Sequence, residues 1–99
     1  MGYTSSMPSI SLDQHVRISD DAVFRELDGE AVILQLEAGV YFGLDPVGTR
    51  LWQLIDTHGA LRSVVDAAAE EFDVARDVLE RDLLQLVSEL AEKQLVVVS

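Results

Sequence analysis

The stretch LEAGVYFGLDPVG, residues 36–48, contains the change from strand to helix on which the fold depends. The run Val40–Leu44 has no charged side chain and is predicted to be a short strand, with Tyr41 and Phe42 on opposite faces so that only one of them can be buried. Asp45 is a favourable helix N-cap, and Pro46 suits the first helical position because its missing N–H would have no partner there. Uncharged strand edges tend to pair with other chains, so this strand is predicted to need a partner.

Three more β-favouring runs precede this strand and are separated by turn signals. Asp28-Gly29 is a strong hairpin dipeptide, because both residues tolerate the positive φ of a type I′ turn. After this turn the side chains alternate, and Val32, Leu34 and Leu36 share a predominantly apolar face. Loops this short join neighbouring antiparallel strands, which predicts a meander that ends in an edge strand. The three runs are residues 15–18, 23–27 and 30–37.

The second half of the chain has the apolar spacing of three helices. The first is expected to end near Gly59, the second to start at Gly59 or Ala60 without a Ser or Thr cap, and the third to span residues 76–93. Residues 95–98 form an apolar end that is expected to pack on the body of the domain. Strands followed by helices predict an α+β fold, with an N-terminal three-stranded antiparallel sheet followed by three helices.

Length and composition are those of one globular domain. The chain has 99 residues, of which 48% are hydrophobic and 25% are charged. We expect residues 14–99 to form the domain and residues 1–13 to be a flexible N-terminal segment. The sequence has no cysteine, no secretory signal pattern and no apolar run near the roughly 20 residues that span a bilayer, so a cytoplasmic location is predicted.

The charge of the chain argues against two classes of partner. Eighteen acidic residues stand against seven basic ones, which gives a formal net charge of −11 at pH 7. Nucleic-acid binders depend on Lys and Arg to neutralise phosphates, and anionic lipid surfaces repel a chain of this sign. Lys93 is the only lysine, and the arginines stand among acids. We therefore expect neither a nucleic-acid partner nor a membrane partner.

Catalytic and cofactor motifs are absent from the sequence. His15 and His58 have no second His or Cys at metal-ligand spacing, so we interpret them as solvated or capping side chains. No serine lies in a GxSxG elbow, no glycine-rich phosphate loop occurs, and the acidic pairs lack the spacing of a calcium loop. The sequence therefore predicts a protein that is not an enzyme and binds no metal or cofactor.

Several segments together resemble the PqqD family, which takes its name from the pyrroloquinoline-quinone biosynthesis protein D. The likeness covers residues 14–98. It includes the aromatic strand, the Asp-Pro helix start and the tryptophan that follows, and it extends to the last helix. The matching segments are GEAVIL at residues 29–34, GVYFGLDPVG at 39–48, LWQLID at 51–56, and VLERDL at 78–83 with Leu90 and Leu95.

The resemblance implies a winged-helix-like domain that recognises the leader peptides of ribosomally made, modified peptides and is not itself a catalyst. In that family the leader adds as an antiparallel strand to the edge that corresponds to Val40–Leu44, in a groove beside the third helix. The domain then presents the precursor to a partner enzyme, such as a leader peptidase or a radical-SAM maturase. The segment at residues 40–52 resembles members of lasso-peptide pathways. The chain departs from the family at Gln94, because a glycine often follows the last helix there.

Candidate binding residues follow from locating this groove on the sequence. On a helical wheel Arg76 and Glu80 flank one side of the apolar stripe of the last helix, while Asp82 and Leu86 flank the other, and either flank could face the strand. An acidic groove would favour leaders that contain Lys or Arg. The predicted peptide-binding residues are Val40, Tyr41, Phe42, Gly43, Leu44, Arg76, Leu79, Glu80, Asp82, Leu83 and Leu86.

Three alternatives stay open at the level of sequence. The same resemblance allows a PqqD-type peptide chaperone for a radical-SAM enzyme in quinone-cofactor biosynthesis. The second and third helices could form the helix-turn-helix of a DNA-binding regulator, although the acids of the last helix match phosphates poorly. The bare strand edge could also pair with its own copy, so a monomer or a weak homodimer is expected.

Overall fold

The computed structural model describes residues 10–28 and 30–99. The predicted order of strands followed by three helices is confirmed, and a short strand is added at the C-terminal end. Most of the predicted flexible segment, residues 1–9, lies outside the described residues, whereas Ile10 and Leu12 pack against the core. The elements are β1 Val16–Ile18, β2 Ala22–Leu27, β3 Glu30–Gln35, β4 Val40–Leu44, α1 Pro46–His58, α2 Leu61–Glu71, α3 Arg76–Glu92 and β5 Val96–Val98.

The main sheet is the predicted antiparallel meander, in the order β2-β3-β4, with β4 at an edge. Leu27 pairs with Glu30 across the first hairpin, which leaves a loop of two residues. Asp28 has a φ of 52°, as the first central residue of a type I′ turn requires, and Gly29 lies outside the described residues. The short loops therefore set the order of these three strands.

The first β run does not belong to this sheet. β1 pairs with β5 in a separate two-stranded antiparallel ribbon, in which Arg17 lies opposite Val97. The sequence predicts only that residues 95–98 pack on the body, because three valines are too short a run to show the alternation of a strand. A strand at the far end of the chain thus completes the ribbon that the first run begins.

Both faces of β3 carry apolar side chains, and the helices cover the face that also carries Gln35. Ala31 and Ile33 are buried beneath the helices together with Gln35, whose exposed fraction is 2%. The amide of Gln35 tolerates this position because it donates to the carbonyl of Gln94 (3.3 Å) and accepts from the N–H of Ala38 (2.9 Å). Val32, Leu34 and Leu36 therefore lie on the face that the helices leave uncovered.

α1 begins where the sequence predicts. The side chain of Asp45 accepts a hydrogen bond from the N–H of Gly48 at 2.7 Å, and Pro46 occupies the first turn. Gly48 lies so close to Asp45 and Leu44 that a Cβ would come within 3.1 Å of the Asp45 carboxylate. α1 then buries Trp52, which stacks on Phe24 of β2 with ring centroids 6.5 Å apart. The cap therefore directs α1 back under the sheet.

α3 ends in a left-handed residue that is not glycine. Gln94 has a φ of 61°, and the N–H of Leu95 donates to the carbonyl of Leu90 at 2.9 Å, as in a Schellman motif. A side chain in this conformation is strained, since its Cβ crowds the backbone.

We expect Gln94→Gly to stabilise the domain. Glycine removes the left-handed strain of roughly 1 kcal/mol, part of which is offset by the greater entropy of its unfolded state. Gln35 bonds to the backbone carbonyl of Gln94, so this contact is kept. The melting temperature measured by circular dichroism should rise by a few degrees, since about 1 kcal/mol corresponds to roughly 4–8 °C in a domain of this size. Gln94→Ala is the control and should give no rise, and a lower melting temperature for the glycine variant would contradict the prediction.

An ion pair joins the first two helices on the surface. The guanidinium of Arg50 on α1 holds both carboxylate oxygens of Glu71 on α2 at 2.7 Å. This hydrogen bonding lowers the pKa of Glu71 and raises the pKa of Arg50, against a smaller opposing effect of desolvation. Because the folded-state pKa of Glu71 is depressed, the pair contributes stability above the unfolded pKa and loses it as the pH falls through the folded pKa.

The stability lost in Glu71→Gln should therefore depend on pH. We expect a small loss near neutral pH, since both side chains are well exposed, and a difference from the unmodified protein that vanishes in acid. Urea unfolding in steps from pH 7 to pH 3 measures this difference. Glu70→Gln, its neighbour on α2 outside this ion pair, is the control. A difference that stays constant over the whole range would refute the role of the pair.

Candidate functional site

The outer edge of β4 has backbone groups without partners in the described residues. The N–H of Leu36 donates to a carbonyl on the β2 side (2.9 Å). N–H groups point to alternate sides along a strand, so Ile33, three residues earlier, directs its N–H to the β4 side, where it lies opposite Phe42. Tyr41 and Gly43, on either side of Phe42, therefore direct their N–H and C=O groups away from the sheet. No other strand within residues 10–28 and 30–99 pairs with this edge.

The side chains of β4 alternate between the two faces of the sheet. Tyr41 is 66% exposed on the uncovered face, whereas Phe42 packs against the core and Leu44 is buried. The prediction that the two aromatic rings lie on opposite faces is therefore confirmed, and Phe42 is the partly buried one. Gly43 has open space where a Cβ would stand, so its backbone is accessible from the uncovered face.

A cavity of about 380 Å³ opens where β4 runs into α1. The start of α1 forms one wall of this cavity, and one face of α3 forms the other. α3 contributes residues spaced three, four and seven apart, which is the spacing of one helical face. The lining residues are Asp45, Val47, Gly48 and Leu51 on one side, and Asp82, Gln85, Leu86 and Glu89 on the other.

α3 has contacts near both ends of β4. Its middle faces the Leu44 end of β4 through this cavity, and its C-terminal end reaches Gln35 through the hydrogen bond to Gln94. Gln35 pairs with Val40, the first residue of β4. We call the open space between the cavity-lining face of α3 and the strand β4 the groove.

The two predicted flanks of α3 have different neighbours. Asp82 and Leu86 line the cavity beside β4. On the other flank, Arg76 donates to Asp66 of α2 at 2.6 Å and to Glu80 at 3.2 Å. The hydrogen bond with Asp66 raises the pKa of Arg76, despite an opposing effect of desolvation. Arg76 and Glu80 therefore stand on the side of α3 that faces α2, away from the cavity.

Leu79 and Leu83 belong to the core. Their exposed fractions are 2% and 0%, so both side chains are inaccessible in this conformation. The helical pattern groups them with the groove because they lie on the apolar stripe, which packs inward instead. The predicted residues do not include Val47, Gln85 or Glu89, although the spacing from Asp82 to Glu89 along one helical face is the signal that leads to two of them.

The cavity beside β4 is acidic. Its lining contains the carboxylates of Asp45, Asp82 and Glu89, and no Lys or Arg among the residues that the structure describes. Asp45 is held by its hydrogen bond to the N–H of Gly48, while Asp82 and Glu89 are exposed. A cationic side chain on a bound molecule would be attracted here, more strongly at low salt.

Two further observations bear on the class of function. Within the described ranges, no group of three His, Cys, Asp or Glu side chains is arranged to hold a metal ion. No described helix combines the length and the apolar character that crossing a membrane requires.

Leu83→Ala and Leu86→Ala should differ strongly in their effect on stability. We expect Leu83→Ala to lower the free energy of unfolding by about 2–5 kcal/mol, because it leaves a cavity in the core. Leu86→Ala should cost roughly 1 kcal/mol or less, since its side chain is partly exposed beside the groove. Urea denaturation followed by circular dichroism measures both values. Equal losses in the two variants would show that the division between core and groove is wrong.

Two solved structures are similar to this chain. TbiB1 in complex with the TbiA(beta) leader peptide has 42% sequence identity and a TM-score of 0.74, over 81% of this chain and 93% of TbiB1. A lasso peptide synthetase B1 complexed with the leader peptide has a TM-score of 0.75, over 84% of this chain and 98% of that one. Its identity is 23%, so it supports the fold alone.

Comparison by sequence identifies the family. No curated protein matches the chain. The family described as Coenzyme PQQ synthesis protein D (PqqD) matches residues 30–96, which include β3, β4, all three helices and the start of β5. With this match over more than half of its length, and with the identity to TbiB1, the chain belongs to the PqqD family.

Proposed function

We propose that this chain is a recognition domain that binds the leader peptide of a ribosomally synthesised, post-translationally modified peptide. The observation that carries the proposal is the uncharged free edge of β4, which lies beside an open groove. The similarity to TbiB1, a relative whose structure holds a leader peptide, supports the same kind of ligand.

Strand addition explains how such a peptide gains affinity. The leader would bond to the N–H and C=O groups of Tyr41 and Gly43, which are the backbone groups that β4 directs outward. Its alternate side chains would then enter the groove, where Leu86 and Val47 offer apolar contacts. Backbone bonds are independent of sequence, so these pockets provide the specificity.

The direction of the leader follows from antiparallel pairing. Its N-terminal part would lie at the Leu44 end of β4, beside the acidic cavity, and its C-terminal part at Val40. A Lys or Arg upstream in the leader would therefore face Asp82 and Glu89. Arg76 and Glu80 do not contact the leader in this proposal. Arg76 bonds to α2 and to Glu80, and both residues lie on the side of α3 away from the cavity.

The proposed role is presentation rather than catalysis. The domain would deliver the bound precursor to a cytoplasmic processing enzyme, either a leader peptidase or another maturase. The resemblance of residues 40–52 to members of lasso-peptide pathways favours such a pathway. The description of the matched family keeps a PqqD-type chaperone of a radical-SAM enzyme as the alternative. The bare edge also allows a weak homodimer, in which self-pairing would compete with the leader.

Substitution of Gly43 tests the proposal. Gly43→Pro removes one outward N–H of β4, while the bonds of Phe42 and Leu44 to β3 remain. We expect at least a tenfold rise in the Kd of a fluorescent leader peptide, from the lost hydrogen bond and the clash of the ring. Fluorescence anisotropy measures the Kd for two probes: the leader of the precursor encoded in the same gene cluster, and the TbiA(beta) leader peptide.

Gly43→Ala is the matched control for this experiment. It keeps the N–H, and its Cβ meets no atom within 4 Å, so both folding and binding should be retained. Thermal melting of each variant separates lost binding from lost structure. The proposal fails if neither leader binds the unmodified protein, or if a folded Gly43→Pro variant binds as tightly as the alanine variant.

A further inference from the structure

A second and larger cavity, of about 570 Å³, lies at the C-terminal end of α3. Its walls are largely apolar and include Ile10, Val96 and Val98. Gln35 stands at the boundary with the sheet, where its amide joins β3 to the end of α3. This cavity, which we call the β5 cavity, is separate from the acidic cavity at the start of α1.

β5 has a free edge beside this cavity. His15 and Ser99 exchange two backbone hydrogen bonds, at 3.0 and 2.9 Å. Hydrogen-bonded and non-hydrogen-bonded pairs alternate along an antiparallel ladder, so the next hydrogen-bonded pair is Arg17 with Val97. Val96 and Val98 therefore direct their N–H and C=O groups away from β1. Within residues 10–28 and 30–99, neither of these N–H groups has a hydrogen-bond partner.

The other side of the ribbon is covered. The N–H of Val16 in β1 donates to the carbonyl of Gly59 at 2.8 Å, and His15 forms a β-bridge with Ala60. The connection between α1 and α2 therefore closes the β1 side. Of the two strands of the ribbon, only β5 offers an edge within the part of the chain that the structure describes.

The β5 cavity lies where a peptide on β4 would leave the sheet. An antiparallel peptide that starts at Leu44 ends at Val40, and Val40 pairs with Gln35, which lines the cavity. Adjacent strands are about 4.8 Å apart, so the added peptide and β3 are separated by roughly 10 Å, or about three extended residues. The peptide can therefore continue past the turn between β3 and β4 into the cavity.

The rim of the β5 cavity indicates the charge of its occupant. Asp21 and Glu37 stand among the lining residues, and no Lys or Arg lines the cavity in the described ranges. The floor is apolar and the rim is anionic. An occupant with apolar side chains and a neighbouring Lys or Arg complements both.

We propose that the β5 cavity and the free edge of β5 form a second binding site for the precursor peptide. Its occupant is the extended, apolar segment that follows the leader strand on the C-terminal side, paired with Val96 and Val98. This inference rests on the proposed function, because it assumes a leader bound along β4. A peptide held at two places would be fixed in direction as well as in register, and its second contact adds affinity through effective concentration.

Nuclear magnetic resonance of the full chain can separate the two sites. The probes are the complete TbiA(beta) leader peptide and a version cut from its C-terminal end to the shortest length that still shifts the amide signals of Tyr41 and Gly43. Both probes should shift these two signals. Only the complete leader should shift the signals of Val96 and Val98, which line the cavity and whose N–H groups point away from β1.

Val98→Pro tests the same contact by affinity. It removes an outward N–H and keeps the pairing of Val97 with Arg17. We expect about fivefold weaker binding of the complete leader and unchanged binding of the short one, the effect of roughly one hydrogen bond. Val98→Thr, which keeps both the N–H and the branched shape, is the comparison: the proline variant should bind the complete leader more weakly than the threonine variant does.

Each outcome bears on the inference in a distinct way. If both probes shift Tyr41 and Gly43 but neither shifts Val96 and Val98, the second site is refuted and the proposed function stands. If neither probe shifts any of the four signals, both fail. Shifts of Val96 and Val98 that depend on protein concentration without peptide would assign the edge to a second copy of the chain, and would also overturn the inference.

Discussion

The hydrogen bond from the N–H of Gly48 to the side chain of Asp45, at 2.7 Å, is the contact on which the arrangement of sheet and helices depends. Only one residue separates the end of β4 from the start of α1, so the chain turns beneath the sheet and adds no further strand to this sheet. Gly48 permits this close turn, since a Cβ there would crowd both the capping carboxylate and Leu44. The edge of β4 stays unpaired because the chain leaves it so abruptly.

Packing of the helices on one face of the sheet then creates the groove. α1 covers the inner face through Trp52 and its neighbours, and α3 lies farther along with Leu79 and Leu83 in the core. The flank of α3 that holds Asp82 and Leu86 is left facing the start of α1 across an open cavity. The edge of β4 and this flank of α3 are both left uncovered when the apolar sides of the sheet and the helices pack together.

Local features of the site were predictable, and features that depend on distant residues were not. The strand at Val40–Leu44, its lack of charge and the cap at Asp45 all follow from short-range chemistry. The inner face of β3 does not, because both of its faces carry apolar side chains. Burial of Gln35 on the inner face is stabilised by a hydrogen bond to the carbonyl of Gln94, which is distant in the sequence. The ribbon of β1 and β5 likewise joins opposite ends of the domain.

By itself, the sequence determined the α+β order, the edge position of β4, the abrupt start of α1 and, through its resemblance, the PqqD family. These depend on turn residues, caps and side-chain period, which act over a few residues. Only the tertiary structure decided which flank of α3 meets the groove, which face of the sheet is buried, and that β5 has a free edge over a second cavity. An amphipathic pattern defines the apolar side of an element, but the neighbour of each polar flank depends on how all the apolar sides fit together.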